Sequence, residues 1–320
     1  MLLFALAFIV AYGISYLSTK RVIAWEKKSG LVSRDMHKES PREVAHTAGP
    51  AIIFGVVAGV LVGVAYTIFV GNGLDITDVF AGLASLIIIS YIGLVDDLFV
   101  LEQYWKPLLP IIAAIPLIAT NMGDPTITLP FLGVMNVGLL YPLVLVPLGI
   151  IVASNVTNML AGFNGLEAGM GIVMFAALTV VGVANNSEGM LAFSMPMLGA
   201  LLAFYAFNKY PAKIFPGDST NYLIGAGVAI SVIVGNYESV GAILMIPYGV
   251  DAILKAINKF PKTFVKLRGG KLTAPTKVRG LIDLVLKITG PIEEKKLSYV
   301  FMGIELVFAL IAIGVGLRFF

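Results

Sequence analysis

Pro50-Ala-Ile-Ile-Phe-Gly-Val-Val-Ala-Gly-Val-Leu-Val-Gly-Val-Ala-Tyr-Thr-Ile-Phe-Val70 runs for 21 residues without a charged side chain. As a helix such a run covers ~30 Å, the thickness of a bilayer's hydrocarbon core. Comparable runs recur on both sides, at about 2–18, 48–70, 76–95, 107–122, 137–158, 165–184, 189–207, 219–235, 239–257 and 297–317. The whole chain of 320 residues is 58% hydrophobic and 13% charged, with a mean hydropathy of +0.93. No soluble domain has enough polar surface to cover that composition. The expectation is an all-α polytopic membrane protein of about ten transmembrane helices, forming one domain over 1–320.

The net charge of +3 matters less than where the charges sit. Lys20, Arg21, Lys27, Lys28, Arg34, Lys38 and Arg42 fall in the first connection, Lys106 in the third, and Lys209 and Lys213 in the seventh. A further group from Lys255 to Lys296 lies in or beside the ninth, within a loop subregion over 258–296. The even connections carry Asp75, Asp78, Asp124, Glu188 and Glu238 and no lysine or arginine. The positive-inside rule then places the odd connections in the cytoplasm and both termini outside, and localises the chain to the cell membrane. Lys20-Arg21 follows the first apolar run instead of preceding it, so that run reads as a retained span and not a signal peptide. Two connections read as small β-hairpins: Asp124 to Asn136 in the outer fourth connection, and Phe264 to Thr273, turning at Gly269-Gly270, in the cytoplasmic ninth.

Cysteine is absent and only His37 and His46 are present, which excludes disulfides, thiolate chemistry and multi-histidine metal sites. Nothing in the chain suggests nucleic-acid binding. The polar residues that remain gather at the cytoplasmic ends of the spans, where such groups are costly and informative. Asp96-Asp97 ends the third span, and adjacent carboxylates call for a cation or hydrogen-bond donors. Lys106 is the one basic residue between the third and fourth spans, placed either to serve that pair or to snorkel at the interface. Asn155, Asn158, Asn164 and Glu167 interleave with glycines around the fifth connection, suiting a phosphate cradle or interhelical hydrogen bonding. Phe215-Pro-Gly-Asp218 opens the eighth span, where an aspartate is either an N-cap or part of an anion-handling helix end. Oxygen donors from Asp and Asn suit Mg²⁺ or Mn²⁺, and phosphoryl transfer is the reaction class that follows.

Gly93-Leu-Val-Asp-Asp97, Asn158-Met-Leu-Ala-Gly-Phe-Asn-Gly-Leu-Glu-Ala-Gly169 and Phe215-Pro-Gly-Asp218 resemble the polyprenyl-phosphate N-acetylhexosamine-1-phosphate transferases. Within them the dolichyl-phosphate N-acetylglucosamine-phosphotransferase branch is most similar. The resemblance spans about Asp35 to Asp218; the last third is similar in hydropathy alone. It implies transfer of a sugar 1-phosphate from UDP-N-acetylglucosamine to a polyprenyl or dolichyl phosphate on the cytoplasmic face, with release of UMP. It further implies Mg²⁺ on Asn158 and Asp218, a catalytic group of Asp96, Asp97, Asn158 and Asp218, and donor contacts from Lys106, Asn155, Glu167 and Lys38, the last within Asp35-Met-His-Lys38. Phe215 would stack on uracil and Asn164 would read the uridine.

The chain also departs from those relatives. The peptidoglycan branch has Asp where this chain has Ala161 and Asn164, and a histidine-rich ninth loop that is missing here, which argues against a muramoyl-pentapeptide donor. The dolichyl branch's Arg-His-Arg element is missing too, leaving Lys262, Lys266 and Arg268 as stand-ins, and His46 replaces an acid near the uridine site. The exact sugar, the acceptor's length and the oligomeric state stay open, a homodimer among the options. The competing reading is a secondary transporter with Asp251 and Glu305 as coupling-ion sites, but transporter sites sit near the midplane in paired halves and the halves here do not repeat.

Overall fold

The computed structural model describes residues 1–71, 74–99, 101–102, 104–129, 133–261 and 265–318. Over that range the chain is a helical bundle with three two-stranded antiparallel sheets at its ends. In order come α1 (Leu2–Ser29), β1 (Val32–Arg34), β2 (Glu43–Ala45), α2 (Gly49–Tyr66), α3 (Ile76–Phe99), α4 (Ile111–Ala119), β3 (Thr126–Leu129) and β4 (Gly133–Asn136). Then follow α5 (Val146–Met159), α6 (Leu166–Ala184), α7 (Glu188–Asn208), α8 (Gly217–Gly235), α9 (Glu238–Leu244) and α10 (Ile246–Ile257). β5 (Lys266–Arg268), β6 (Lys271–Thr273), α11 (Leu281–Thr289) and α12 (Glu294–Arg318) complete the chain. Single π-turns extend α2 through Thr67–Gly71 and lead into α5 through Tyr141–Leu145.

Among the described residues eight helical segments are long and apolar enough to cross a membrane; the pair α9–α10, bent by 56°, makes a ninth if taken as one span. The expected fourth span, 107–122, contributes only the nine residues of α4. Pro107 and Pro110 explain the late start, since each lacks an N–H and crowds the preceding turn, while Pro116 is accommodated inside α4. The hairpins β3–β4 and β5–β6 fall within the two segments that alternate in sequence. The pairing of β1 with β2 in the first connection was not anticipated.

α8 is the central helix, packed by α3, α5 and α7, with 83% of its spanning window buried. Its run Gly225-Ala-Gly-Val-Ala-Ile-Ser231 presents small side chains that let neighbours close in. That placement brings the C-terminal ends of α3 and α5 to the N-terminal end of α8, at one end of the bundle.

Candidate functional site

The site starts from two glycines. A Cβ on Gly93 would stand 2.4 Å from Ser219 Cα, so only glycine lets α3 touch the first turn of α8. Gly217 holds φ at +70°, and a Cβ there would meet Asp97 Oδ2 at 2.4 Å. With both spaces open, the Asp97 carboxylate reaches the exposed N–H groups of the helix end. Oδ1 accepts from Asp218 N–H at 2.6 Å and Oδ2 from Ser219 N–H at 3.3 Å. Asp97 therefore supplies from another helix the capping that no α8 side chain provides.

Thr47 Oγ1 donates to Asp97 Oδ2 at 2.8 Å, and His46 Nε2 lies 3.1 Å from the Asp97 carbonyl while its Nδ1 is 2.6 Å from Ser33 Oγ. The Thr47 N–H in turn points between both oxygens of Glu26, a carboxylate 1% exposed at the end of α1. The first connection continues onto the Phe215 segment by backbone pairing: Phe215 N–H donates to the Ala45 carbonyl and Ala48 N–H to the Phe215 carbonyl, each at 3.0 Å. Phe215 is thus held by its backbone, with a half-buried ring.

Beside this support lies an oxygen-rich cluster. Lys106 Nζ is 2.8 Å from Asp96 Oδ1 and 3.8 Å from Asp218 Oδ2. Asp96 is buried, also accepts Leu101 N–H at 3.0 Å, and leaves Oδ2 without a hydrogen-bond partner among the described residues. Asp218 keeps 31% of its side chain exposed. From α5, Asn158 Oδ1 accepts from Asn221 Nδ2 at 3.0 Å, and the Tyr222 phenol interacts with Asn158 and Asp96 together. Asn155 donates to the Pro107 carbonyl at 3.2 Å, tying the Lys106 loop to α5. Counting the adjacent Asp97, three carboxylates stand against one ammonium and leave this cluster short of positive charge.

A second cluster gathers the remaining predicted residues on the same side. Lys38 donates to Asp35 Oδ1 at 3.2 Å and to Glu294, and sits 4.6 Å from the Tyr210 ring centroid. Asn164 gives its N–H to Glu294 Oε1 at 2.7 Å and accepts Ala212 N–H at 2.8 Å and Ser298 Oγ–H at 2.9 Å. Its polar atoms are spent on α12, the Ala212 loop and, at 3.5 Å, Asp35, so in this conformation it is a hub of the fold. Glu167 accepts Gly162 N–H at 2.5 Å and leaves Oε2 unpaired among the described residues. His37 stacks on Phe163 at 4.6 Å, and burial, with Lys38 alongside, lowers its pKa. Lys262 lies outside the described residues.

Sequence reasoning missed Glu26, Thr47, Asn221, Tyr222 and Glu294. Asn221 and Tyr222 carry a signal, since positions three and four beyond Asp218 share its helix face. Glu26 and Glu294 carry none, because their partners are remote in sequence. The carboxylates behind the transport reading are also placed. Asp251 pairs with Lys255 at 2.7 Å and accepts Leu281 N–H at 2.7 Å, while Glu305, fully buried in α12, has no partner among the described residues.

Residues 79–236 match the sequence pattern of glycosyl transferase family 4. A Saccharolobus solfataricus protein provisionally assigned as UDP-N-acetylglucosamine–dolichyl-phosphate N-acetylglucosaminephosphotransferase is 36% identical over 96% of this chain and 95% of its own. A Sulfolobus acidocaldarius protein with the same provisional assignment is 35% identical over 96% and 94%. The enzyme of that name from Dictyostelium discoideum is 27% identical over 75% and 68%. Bundle and likeness together define an integral membrane transferase. The chain belongs to glycosyl transferase family 4.

Proposed function

We propose that this protein transfers N-acetylglucosamine 1-phosphate from UDP-N-acetylglucosamine to a polyprenyl or dolichyl phosphate at the cytoplasmic membrane boundary, releasing UMP. The observation that carries the reading is the convergence of Asp96, Asn158, Asp218 and Lys106 at one end of the bundle, in a chain 36% identical to the Saccharolobus protein. The names of the relatives support the donor and acceptor, and the basic odd-numbered connections support the cytoplasmic face.

The residues fit a divalent cation. Among the described residues no three acidic or imidazole side chains form a ready metal cage. Magnesium does not need one, because it keeps waters and substrate phosphate oxygens and takes only one or two protein ligands. Asp218, half-exposed and short of cationic partners, and the Asn158 carboxamide oxygen would hold it. When bound it would neutralise charge on the donor diphosphate.

The chain's own residues do the rest. An oxygen of the acceptor phosphate attacks the sugar-bearing phosphorus of the donor; a new P–O bond forms, the bond to the bridging oxygen breaks, and its electron pair leaves with UMP. The acceptor is a phosphate monoester largely ionised near neutrality, so no strong base is required. Lys106, held by Asp96, offers a cation to the donor phosphates, and Asp97 holds the first turn of α8 so that Asp218 keeps its place. An apolar cavity of about 770 Å³, between α5, α8 and α9, supports a lipid acceptor. Its wall reaches Ala153, five residues before Asn158 and so ~7.5 Å away along the helix.

The test is UMP release by the purified chain with a short polyprenyl phosphate, Mg²⁺ and a panel of UDP-sugars. Release with UDP-N-acetylglucosamine that stops on chelation is expected; release that persists under chelation, or depends on a different sugar, overturns the corresponding part.

A further inference from the structure

Lys255 lies in the last turn of α10, nine-tenths buried, where solvation of a lone ammonium would be lost. Both members of its ion pair are committed to fixed backbone groups. Lys255 donates to the Met159 carbonyl, one of the last-turn acceptors of α5 that have no partner within that helix. Asp251, fully buried one turn earlier, accepts the N–H of Leu281 at the start of α11. The site chemistry described above uses neither residue. Met159 directly follows Asn158, so its carbonyl, in the 159–160 peptide, belongs to the same last turn of α5 that carries Asn158.

The other end of α10 has a different neighbour. Met245 and Ile246, at the 56° break after α9, line the apolar cavity together with Val152 and Ala153 of α5. From Ile246 to Lys255 is nine residues, ~13.5 Å of helix. One rigid segment therefore touches the cavity at its first residue and the α5 terminus at its last.

We infer that the Lys255–Asp251 pair is a positioning element that couples occupancy of the apolar cavity to the placement of Asn158, so that a long acceptor chain promotes transfer at the other end of α10. The inference rests on the reading of the cavity as the acceptor's site. A cation on a helix's C-terminal carbonyls is favoured by the helix dipole, and the paired carboxylate keeps it there in a low-dielectric setting. A chain lodged against Met245 and Ile246 biases the angle of α10, and the pair passes that bias to Met159.

The test uses the full chain in nanodiscs with UDP-N-acetylglucosamine and either a short-chain or a long-chain polyprenyl phosphate. Because removing one ion leaves the other buried and unpaired, the variant removes both, D251N with K255M, and Lys255→Arg serves as the conservative control. In the wild type the long chain raises kcat, and in the double variant that advantage falls about tenfold while the short-chain rate stays within about threefold. Lys255→Arg restores the advantage.

A second measurement needs no variant: without divalent cation, the long-chain acceptor but not the short one slows amide exchange in residues 159–162 of the wild type. An advantage that survives in the double variant, an equal loss for both acceptors, or exchange indifferent to chain length overturns the coupling while leaving the cavity reading intact. A wild type with no chain-length preference removes the cavity reading, and the coupling with it.

Discussion

The Asp97 carboxylate, at the end of α3, accepts the N–H of Asp218, the second residue of α8, at 2.6 Å. A side chain 121 positions away thereby orients the half-exposed aspartate of the site. Asp97→Ala removes that support and costs about 1–2 kcal/mol, the usual size of a lost helix cap. Asp97→Asn keeps one acceptor oxygen and loses less. Thermal unfolding in detergent measures both, and an Ala variant melting with the wild type would show that α8 does not depend on the cap.

Lys106→Met leaves Asp96 and Asp218 adjacent without their cation and takes one from the donor diphosphate. A charge-assisted hydrogen bond contributes about 1.5–3 kcal/mol, so kcat/KM for the UDP-sugar should drop about tenfold to a hundredfold. Steady-state kinetics at low donor concentration reads this directly; unchanged values would exclude Lys106 from the donor site.

Asp218→Ala and Asn158→Ala should each lower UMP release by about two orders of magnitude or more. Asp218 is half-exposed and Asn158 meets Asn221 and the Tyr222 phenol, so melting should change far less than activity. Chelating divalent cations should do the same to the wild type. Normal turnover in either variant would remove that residue from the cation site.

Glu26→Leu strands the Thr47 N–H in a buried position, at about 1–3 kcal/mol, and loosens the contact from Thr47 to Asp97. Glu26→Gln keeps an acceptor and should behave close to wild type. Equal melting of the two variants would show that Thr47 finds its partner elsewhere.

His37 has its pKa lowered by burial beside Lys38, against an ordinary value of 6.5. The unfolded chain therefore binds this proton more readily than the fold does. The contribution is present above the unfolded pKa and is lost as pH falls below it toward the folded value. His37→Phe keeps a ring against Phe163 and removes the titration. The difference in melting temperature between variant and wild type should grow in the variant's favour on acidification below about 6.5, and a difference independent of pH would assign the shift to another group.

The helical spans, the acid pair at the end of α3, the amide-rich stretch after α5 and the aspartate opening α8 were all legible in the chain as written. Each depends on local quantities: the hydropathy of a run, the cost of a polar group at membrane depth, the preference of a helix end for an acid. The same locality explains the failures. Runs of apolar residues announced a full span at 107–122, yet the regular helix there begins only after Pro107 and Pro110, as α4. Lys38 and Asn164 read as substrate contacts because their types suit phosphates and bases; their ties to Asp35, Glu294, Ala212 and Ser298 were not legible, because those partners are brought close by the fold.

Membrane character and the ingredients of the chemistry belong to the one-dimensional string, because transfer of apolar groups out of water and the choice of oxygen donors act residue by residue. The folded bundle alone selects which carboxylate holds the α8 end, which balances Lys106, and which remains exposed for a cation. Hydrogen bonds and ion pairs between distant segments depend on angstrom-scale approach, and that approach follows from helix packing around Gly93 and Gly217.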